Sequence, residues 1–345
     1  MNNRVRKIAV SNLFKQFAGM EALVIGDVMV DSYIWGKVER ISPEAPVPVV
    51  SVKSRQERLG GAANVGLNLL ALGANPFLVS VIGNDAHGKI FHSLLKKRNL
   101  SHDGIISHAD RITTAKFRIM SGNYQMLRVD DETDSVISAS MTSNLLKKIK
   151  SLIAKSNFKV IIFQDYDKGV IHPDLISEVT LLAQKAGIPI AVDPKKRNFL
   201  AYHDVELFKP NLKELQEGLK LETKPGNIEE LDHASLRLAE IIGNTNTLIT
   251  MSDKGVYISS HSWPASLDSS AIFPAHIRNI ADVSGAGDTV ISVAALGMAC
   301  GMKPYDYAEF SNLAGGLVCE HVGVVPVDPE VLMKEAKLRL PDTFR

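Results

Sequence analysis

The sequence predicts an α/β fold, with a mostly parallel central sheet covered by helices and a small second sheet set apart as a lid. Three observations predict it. From Glu21 onward, short β-branched runs alternate with segments of helical period, the pattern of successive βαβ units. Two strand-rich stretches, 33–52 and 112–130, break that alternation. No Pro/Gly/Ser-rich or highly charged linker divides the chain, so the segments behave as one architecture.

Taken in order, residues 1–20 hold Arg4, Arg6, Lys7 and Lys15 with no acid before Glu21, and Leu13, Phe14 and Phe17 sit at helical spacing. An amphipathic helix explains these residues, and so does an organelle leader; the helix and a cytoplasmic location are the reading preferred here. Core strands follow at Ala22–Gly26, Phe77–Ile82, Val160–Gln164, Pro189–Asp193, Val205–Phe208 and Thr247–Met251. Helices are predicted near 62–72, 88–98, 140–155, 172–186, 228–242, 286–300 and 305–320. Within 112–130, Thr114, Lys116 and Arg118 alternate with Ala115, Phe117 and Ile119, the period of a sheet with one polar face. One domain is expected over 21–335, with a tail over 336–345.

Composition narrows the function. Thirty-nine Lys and Arg nearly cancel 38 Asp and Glu, so no global positive field exists to hold nucleic acid or an anionic membrane. The 45% hydrophobic share belongs to a folded, water-soluble protein, and no run approaches the roughly 18 apolar residues of a membrane span. Cys300 and Cys319 lie in apolar helical stretches without metal-ligand spacing and read as buried free thiols. The ten histidines show no H-x-x-x-H or H-E-x-x-H spacing, and no G-x-S-x-G elbow is present.

The strongest chemical signal is Asp282-Val283-Ser284-Gly285-Ala286-Gly287-Asp288-Thr289, running straight into a helix. Gly285 and Gly287 let the backbone turn sharply and expose amides at a helix start, which favours anions. A carboxylate in that first turn repels phosphate, but it suits a base that takes a proton from an attacking hydroxyl, so Asp288 is the candidate base. The helix terminus should lower its pKa, which phosphoryl transfer tolerates because positioning and electrostatics dominate it. The alternative is a capping aspartate in a tight glycine turn.

Gly60-Gly61-Ala62-Ala63-Asn64 opens the predicted helix at 62 and suits either a sugar hydroxyl against backbone and Asn64, or close packing on a strand. Gly83-Asn84-Asp85-Ala86-His87-Gly88-Lys89 nearly matches a P-loop, but Ile90 stands where a magnesium-binding hydroxyl is needed, so it reads as a plain strand-to-helix turn. Asn211 and Glu214 suit either magnesium through water or a helix cap with its box partner; taken alone, the cap is favoured.

In kind, order and separation these elements resemble the PfkB/ribokinase family of carbohydrate kinases over about residues 21–335. Gly60-Gly61 is similar to the family's glycine pair, Asn211 to Glu214 to its N-x-x-E element, and Asp282 to Asp288 to its D-T-x-G-A-G-D signature, with Val283 in place of Thr. Gly26 to Asp31, Arg40-Ile41-Ser42-Pro43-Glu44-Ala45-Pro46-Val47-Pro48-Val49 and Arg58 to Asn64 resemble the D-glycero-β-D-manno-heptose 7-phosphate kinases, in the single-function form without a nucleotidyltransferase segment.

The resemblance implies a three-layer ribokinase-like fold and ATP-dependent phosphorylation of a sugar hydroxyl. Asp288 would be the base, with Gly285, Ala286 and Gly287 the anion hole. It implies Asp27, Asp31, Gly60, Gly61, Asn64 and Asp165 on sugar hydroxyls, and Lys116, Arg118, Arg128 and Lys168 on the substrate phosphate, unless these cations are ordinary sheet-surface charge. Asn211, Glu214, Ser252, Gly255 and Asn312, with Gly285 and Gly287, would hold ATP. Mg2+ falls to Asn211 and Glu214, and K+ to Asp282 with the 282–288 and 321–324 loops. A homodimer through the lid strands is implied by the same analogy.

The chain departs from the family at Gly122, Gln164, Lys196-Arg197 and Gly323-Val324, positions that bear on substrate and cation choice rather than reaction class. Two rivals stand beside the heptose reading: a kinase for another sugar or nucleoside, and a regulator that binds without turnover. The Ile-Ser-Pro-Glu-Ala-Pro run argues against the first, and the intact Asp288 against the second.

Overall fold

Residues 10–122 and 124–340 are described by the computed structural model. The chain begins α1 (Val10–Phe17), β1 (Glu21–Gly26), β2 (Val28–Ile41), β3 (Pro48–Gly61), α2 (Ala62–Ala71), β4 (Asn75–Gly83), α3 (Ala86–Lys97) and β5 (Ile105–His108). It continues β6 (Ala115–Ser121), β7 (Tyr124–Asp131), α4 (Ala139–Lys155), β8 (Val160–Gln164), α5 (Pro173–Ala186), β9 (Ile190–Asp193), β10 (Leu207–Phe208), α6 (Leu212–Leu219) and α7 (Ile228–Ile242). It closes with β11 (Asn246–Thr250), β12 (Val256–Ser262), β13 (Ser266–Phe273), α8 (Ala286–Ala299), α9 (Pro304–Val318) and α10 (Pro329–Arg339).

Among the described residues the large sheet runs β13-β12-β11-β10-β9-β8-β1-β4-β5, parallel from β11 to β5, with β12 and β13 added antiparallel at one edge. Strand side chains alternate between two apolar cores, as a period of two requires. Ala22, Val24, Val160 and Ile162 join the core under α2, α8 and α9; Leu23, Ile25, Ile161 and Phe163 join the one under α4, α5 and α7. The result is the three-layer arrangement. Both stretches outside the βαβ alternation meet in one four-stranded sheet, β3-β2-β6-β7. Helix α1 seats Leu13 and Phe17 in the core, and Phe14 meets Phe310 edge-on at 6.2 Å. Residues 1–9 of the predicted N-terminal helix lie outside the described residues.

Several expectations need correction. Residues 336–339, expected in a tail, are the last turn of α10, whose Leu332 and Ala336 are buried. The predicted strand 205–208 shortens to Leu207–Phe208, although Val205 is fully buried. Strands β5, β12 and β13 escaped the hydrophobic pattern because one is four residues long and the other two are serine-rich, lying at or next to the sheet edge. Cys300 and Cys319 are free thiols, but only Cys319 is buried; Cys300, at the end of α8, is half-buried.

Candidate active site

Strand β1 is where the sheet changes direction, with β4 on one side and β8 on the other; open α/β sheets leave a crevice beyond the carboxyl ends of the strands at such a point. Register places the residues. Gly26 lies opposite Gln164, and Gln164 opposite Asp193, so these three are level at the strand ends and Asp27 and Asp165 follow one residue beyond. Lys209 follows β10 directly, and Asn211 bridges to Thr250 at the end of β11.

Helix α8 brings Asp288 to this row. Its N-cap, Gly285, has φ 82°, and a Cβ there would lie 2.9 Å from Asn64 Nδ2, so only glycine fits comfortably. Asp288 is 4% exposed, but its neighbours are polar. Oδ2 accepts from Asn64 Nδ2 at 2.7 Å, and Oδ1 accepts from Tyr166 Oη at 2.7 Å and Gln164 Nε2 at 3.2 Å. The sequence argument had the helix terminus weakening this base. Burial instead pushes its pKa up to about 6, helped by Asp193 and opposed by Asn64, Tyr166 and Lys209, which brings it nearer the range where a general base works well.

The anion hole is narrower than expected. The amide of Ala286 donates to Val283 O at 3.3 Å and is occupied. Gly287 faces charged side chains at contact distance: a Cβ there would meet nothing nearer than Lys209 Nζ at 3.7 Å and Asp193 Oδ2 at 3.9 Å. Lys209 and Asp193 form a buried ion pair at 3.0 Å, and Gln164 Nε2 joins Asp193 to Asp288 through a 3.0 Å bond. Lys195 pairs with Glu214 and lies over the Tyr166 ring at 5.7 Å.

Asp27 and Asp165 have most of their acceptor positions taken by the protein itself. Asp27 accepts from the amides of Tyr166, Lys168 and Val170, so it holds the 165–170 loop. Asp165 accepts from Asn198, Tyr202 and the Asp167 amide, and burial, with Asp27 nearby, pushes its pKa up to about 6. The glycine pair takes its packing role. Gly60 lets β3 lie against Asp31, and Gly61, at φ 60°, clears the Asp27 carbonyl. Asp31 itself is buried against Arg118.

Lys116 and Arg118 stand on β6 and Arg128 on β7, as the alternation predicts, with Lys168 on the adjoining loop. Each has an acidic partner. Lys116 reaches Asp130 at 2.8 Å and Glu132 at 2.9 Å, Lys168 reaches Glu132 at 2.7 Å, and Arg128 reaches Asp130 at 3.0 Å. An anionic ligand would have to compete with these carboxylates or share their cations.

On the opposite side, Asn211 and Glu214 form the reciprocal capping box, the alternative reading of that pair. Ser252 (φ 56°), Gly255 and Asn312 gather at Phe273–Pro274: a Gly255 Cβ would strike Phe273 O, and Asn312 Nδ2 donates to Pro274 O at 2.9 Å. Asp282 joins its own loop to the 321–324 loop by accepting from the amides of Ser284 and Gly323, each at 2.9 Å. Burial raises its pKa, but those amides outweigh burial and leave it below the usual carboxylate range. The near P-loop is an ordinary turn in which Asp85 caps α3 by accepting from Gly88 N.

The pfkB family carbohydrate kinase pattern matches residues 20–330. The chain belongs to the pfkB family of carbohydrate kinases. This kinase is 37% identical over 329 residues to the bifunctional protein HldE of Citrifermentans bemidjiense, covering 94% of the chain and 65% of that relative. It is 36% identical over 320 residues to HldE of Geobacter sulfurreducens, covering 93% and 64%. The kinase therefore spans about two thirds of the length of these relatives. Solved structures share its fold: Escherichia coli phosphofructokinase-2 in complex with potassium (TM-score 0.74, 16% identity, 93% of this chain and 99% of that one) and Arabidopsis thaliana ribokinase complexed with ribose and ATP (0.69, 18%, 92% and 99%).

Around Asp288 the kinase places five residues to which the sequence assigned no role: Gln164, Tyr166, Asp193, Lys195 and Lys209. A charged or amide side chain at or directly after a buried strand marks Gln164, Asp193 and Lys209, and Lys195 follows Asp193 with Pro194 between them. Tyr166 carries no such mark, because its hydroxyl meets Asp288 only through the loop that Asp27 folds.

Proposed function

We propose that this kinase transfers the γ-phosphoryl group of ATP to the anomeric hydroxyl of D-glycero-β-D-manno-heptose 7-phosphate, giving the 1,7-bisphosphate for ADP-heptose and lipopolysaccharide core synthesis in the cytoplasm. The observation that carries the chemistry is Asp288, hydrogen-bonded by three side chains at the N-terminus of α8, close to Gly287 and Lys209. The heptose assignment draws on the 33–37% identity to proteins named HldE and on the Ile41-to-Pro48 segment.

In this reading Asp288 accepts the hydroxyl proton as the oxygen attacks the γ-phosphorus and the bond to the ADP oxygen breaks. The Gly287 amide, in the first turn of α8 where N–H groups have no helical acceptor, and the nearby Lys209 ammonium are the donors that fit a phosphoryl group. Glu214 and Asn211 would hold Mg2+ through water, and the ion would supply charge neutralisation on the phosphates. Lys195 and Glu214 neutralise each other at that end of the site. Asn64 is the sugar-side residue that reaches the base, and Lys116, Arg118, Arg128 and Lys168 form the basic edge for the 7-phosphate. A K+ ion would lie near Asp282, whose role is to tie the two loops that enclose it; the potassium complex of phosphofructokinase-2 supports looking for one.

A homodimer would form through the small sheet, where Ile41, Val52, Tyr124, Leu127 and Val129 are exposed. The assay is ADP release with ATP and Mg2+ against heptose 7-phosphate, fructose 6-phosphate, ribose and adenosine, with 31P NMR of the product. The reading expects release with the heptose and a new anomeric phosphate. Release only with another acceptor would move the assignment to that sugar, and release with none would leave a binding protein.

A further inference from the structure

The base is the best-connected side chain of the site, and one of its partners has no place in the reaction as described so far. Tyr166 Oη donates to Asp288 Oδ1 at 2.7 Å, and Gln164 Nε2 reaches the same oxygen at 3.2 Å, while Oδ2 accepts only from Asn64 at 2.7 Å. A carboxylate offers about four lone-pair positions. Two donors fill Oδ1, one fills half of Oδ2, and the remaining position on Oδ2 is left for a reacting alcohol.

Tyr166 is itself held at three points. Its amide donates to Asp27 Oδ2 at 2.9 Å, its ring lies under Lys195 Nζ at 5.7 Å, and its hydroxyl is on Asp288. The charged groups facing this pair are Asp193, Lys209 and Lys195 around Asp288, with Asp193, Asp31 and Lys195 bearing on the phenol. Burial and those carboxylates keep the phenol pKa well above 10, so Tyr166 remains a donor throughout the range in which Asp288 titrates.

We infer that Tyr166 is the positioning residue of the base: its hydroxyl pins Oδ1 of Asp288 so that Oδ2 faces the acceptor alcohol and takes its proton. The inference rests on the reading of Asp288 as the base. It adds a division of labour between the two oxygens, and it explains why so buried a carboxylate is held by side chains rather than by amides. Asp27, which folds the loop carrying Tyr166, then acts on the site at second hand.

The test is a double-mutant cycle of Tyr166→Phe and Asp288→Asn, with kcat and both KM values measured from pH 5.5 to 9. The phenylalanine keeps the ring and removes only the donor, so Asp288 loses one bond that favours its charged form. Tyr166→Phe should lower kcat about tenfold at pH 7, with both KM values within about twofold, and the acid limb should move to higher pH so that the deficit shrinks toward pH 9. In the Asp288→Asn background the same change should cost less than about twofold. An equal loss at every pH, or a full additional loss on top of Asp288→Asn, overturns the inference while leaving the base assignment intact. If Asp288→Asn alone keeps wild-type kcat, the base assignment itself falls. Should Tyr166→Phe not fold, Gln164→Leu removes the other Oδ1 donor: the same upward move of the acid limb supports two-donor pinning of Oδ1, and an unmoved limb overturns it.

Discussion

Two buried carboxylate pockets lie side by side at the ends of β1 and β8, and they do different work. Asp27 and Asp165 meet amides of the 165–170 loop and the side chains of Asn198 and Tyr202; Asp288 meets the side chains of Asn64 on α2, Gln164 at the end of β8 and Tyr166 just beyond it. Burial raises the pKa in both pockets, to about 6 for Asp165 as for Asp288. A raised pKa therefore does not single out the base. What separates the pockets is the kind of donor and the setting: backbone amides bind Asp27 to the 165–170 loop, whereas side chains hold Asp288 in the first turn of α8, close to Gly287 and Lys209.

The contrast can be broken by mutation. The largest effect apart from the base itself is expected at Asp27. Asp27→Ala strands three amides, each unsatisfied group costing roughly 1–3 kcal/mol, so urea unfolding should show a loss of about 4 kcal/mol or more. A loss below about 1 kcal/mol would put Asp27 in the same class as Asp288. Next is Lys209→Met, assayed with Asp193→Asn so that no buried charge is left alone; turnover should drop about 100-fold with the fold kept, and unchanged turnover would remove Lys209 from the phosphoryl site.

A smaller effect is linked to pH. Because the folded-state pKa of Asp288, about 6, lies above the ordinary 3.8, the folded protein binds more protons between these values. Wild-type stability should therefore fall through that window relative to Asp288→Asn, by roughly 2–3 kcal/mol between pH 4 and 7. Thermal melts of both proteins at each pH check the sign. Smallest is Lys116→Ala, expected to raise the sugar phosphate KM about tenfold and leave the ATP KM unchanged, since Lys116 is already shared between Asp130 and Glu132.

The same division explains what could be read from the sequence. The central strands, the two stretches that became the small sheet and the α8 turn each follow from a local pattern of alternation, glycine spacing or a helix start. The partners of Asp288 do not. Asn64, Gln164 and Tyr166 are separated from it by 224, 124 and 122 residues, and the packing of α2 on α8 together with the sheet order brings them together. The family resemblance also implied Asp27 and Asp165 on the sugar, and in sequence an aspartate after a strand looks the same whether its oxygens face a ligand or hold a loop. The subfamily segment around Ile41 to Pro48 joins β2 to β3 at the hairpin end away from Gly60-Gly61, roughly 40 Å along the strands, so its value as a marker comes without contact with the base.

The central claim concerns the proton taken by Asp288, and single-turnover transfer from ATP to heptose 7-phosphate by wild type and Asp288→Asn at pH 8 measures it most directly. With both proteins folded by circular dichroism, the account predicts a rate lower by about 10²–10⁴ in the variant, the usual worth of a positioned base. Transfer at the wild-type rate by the asparagine protein would contradict it.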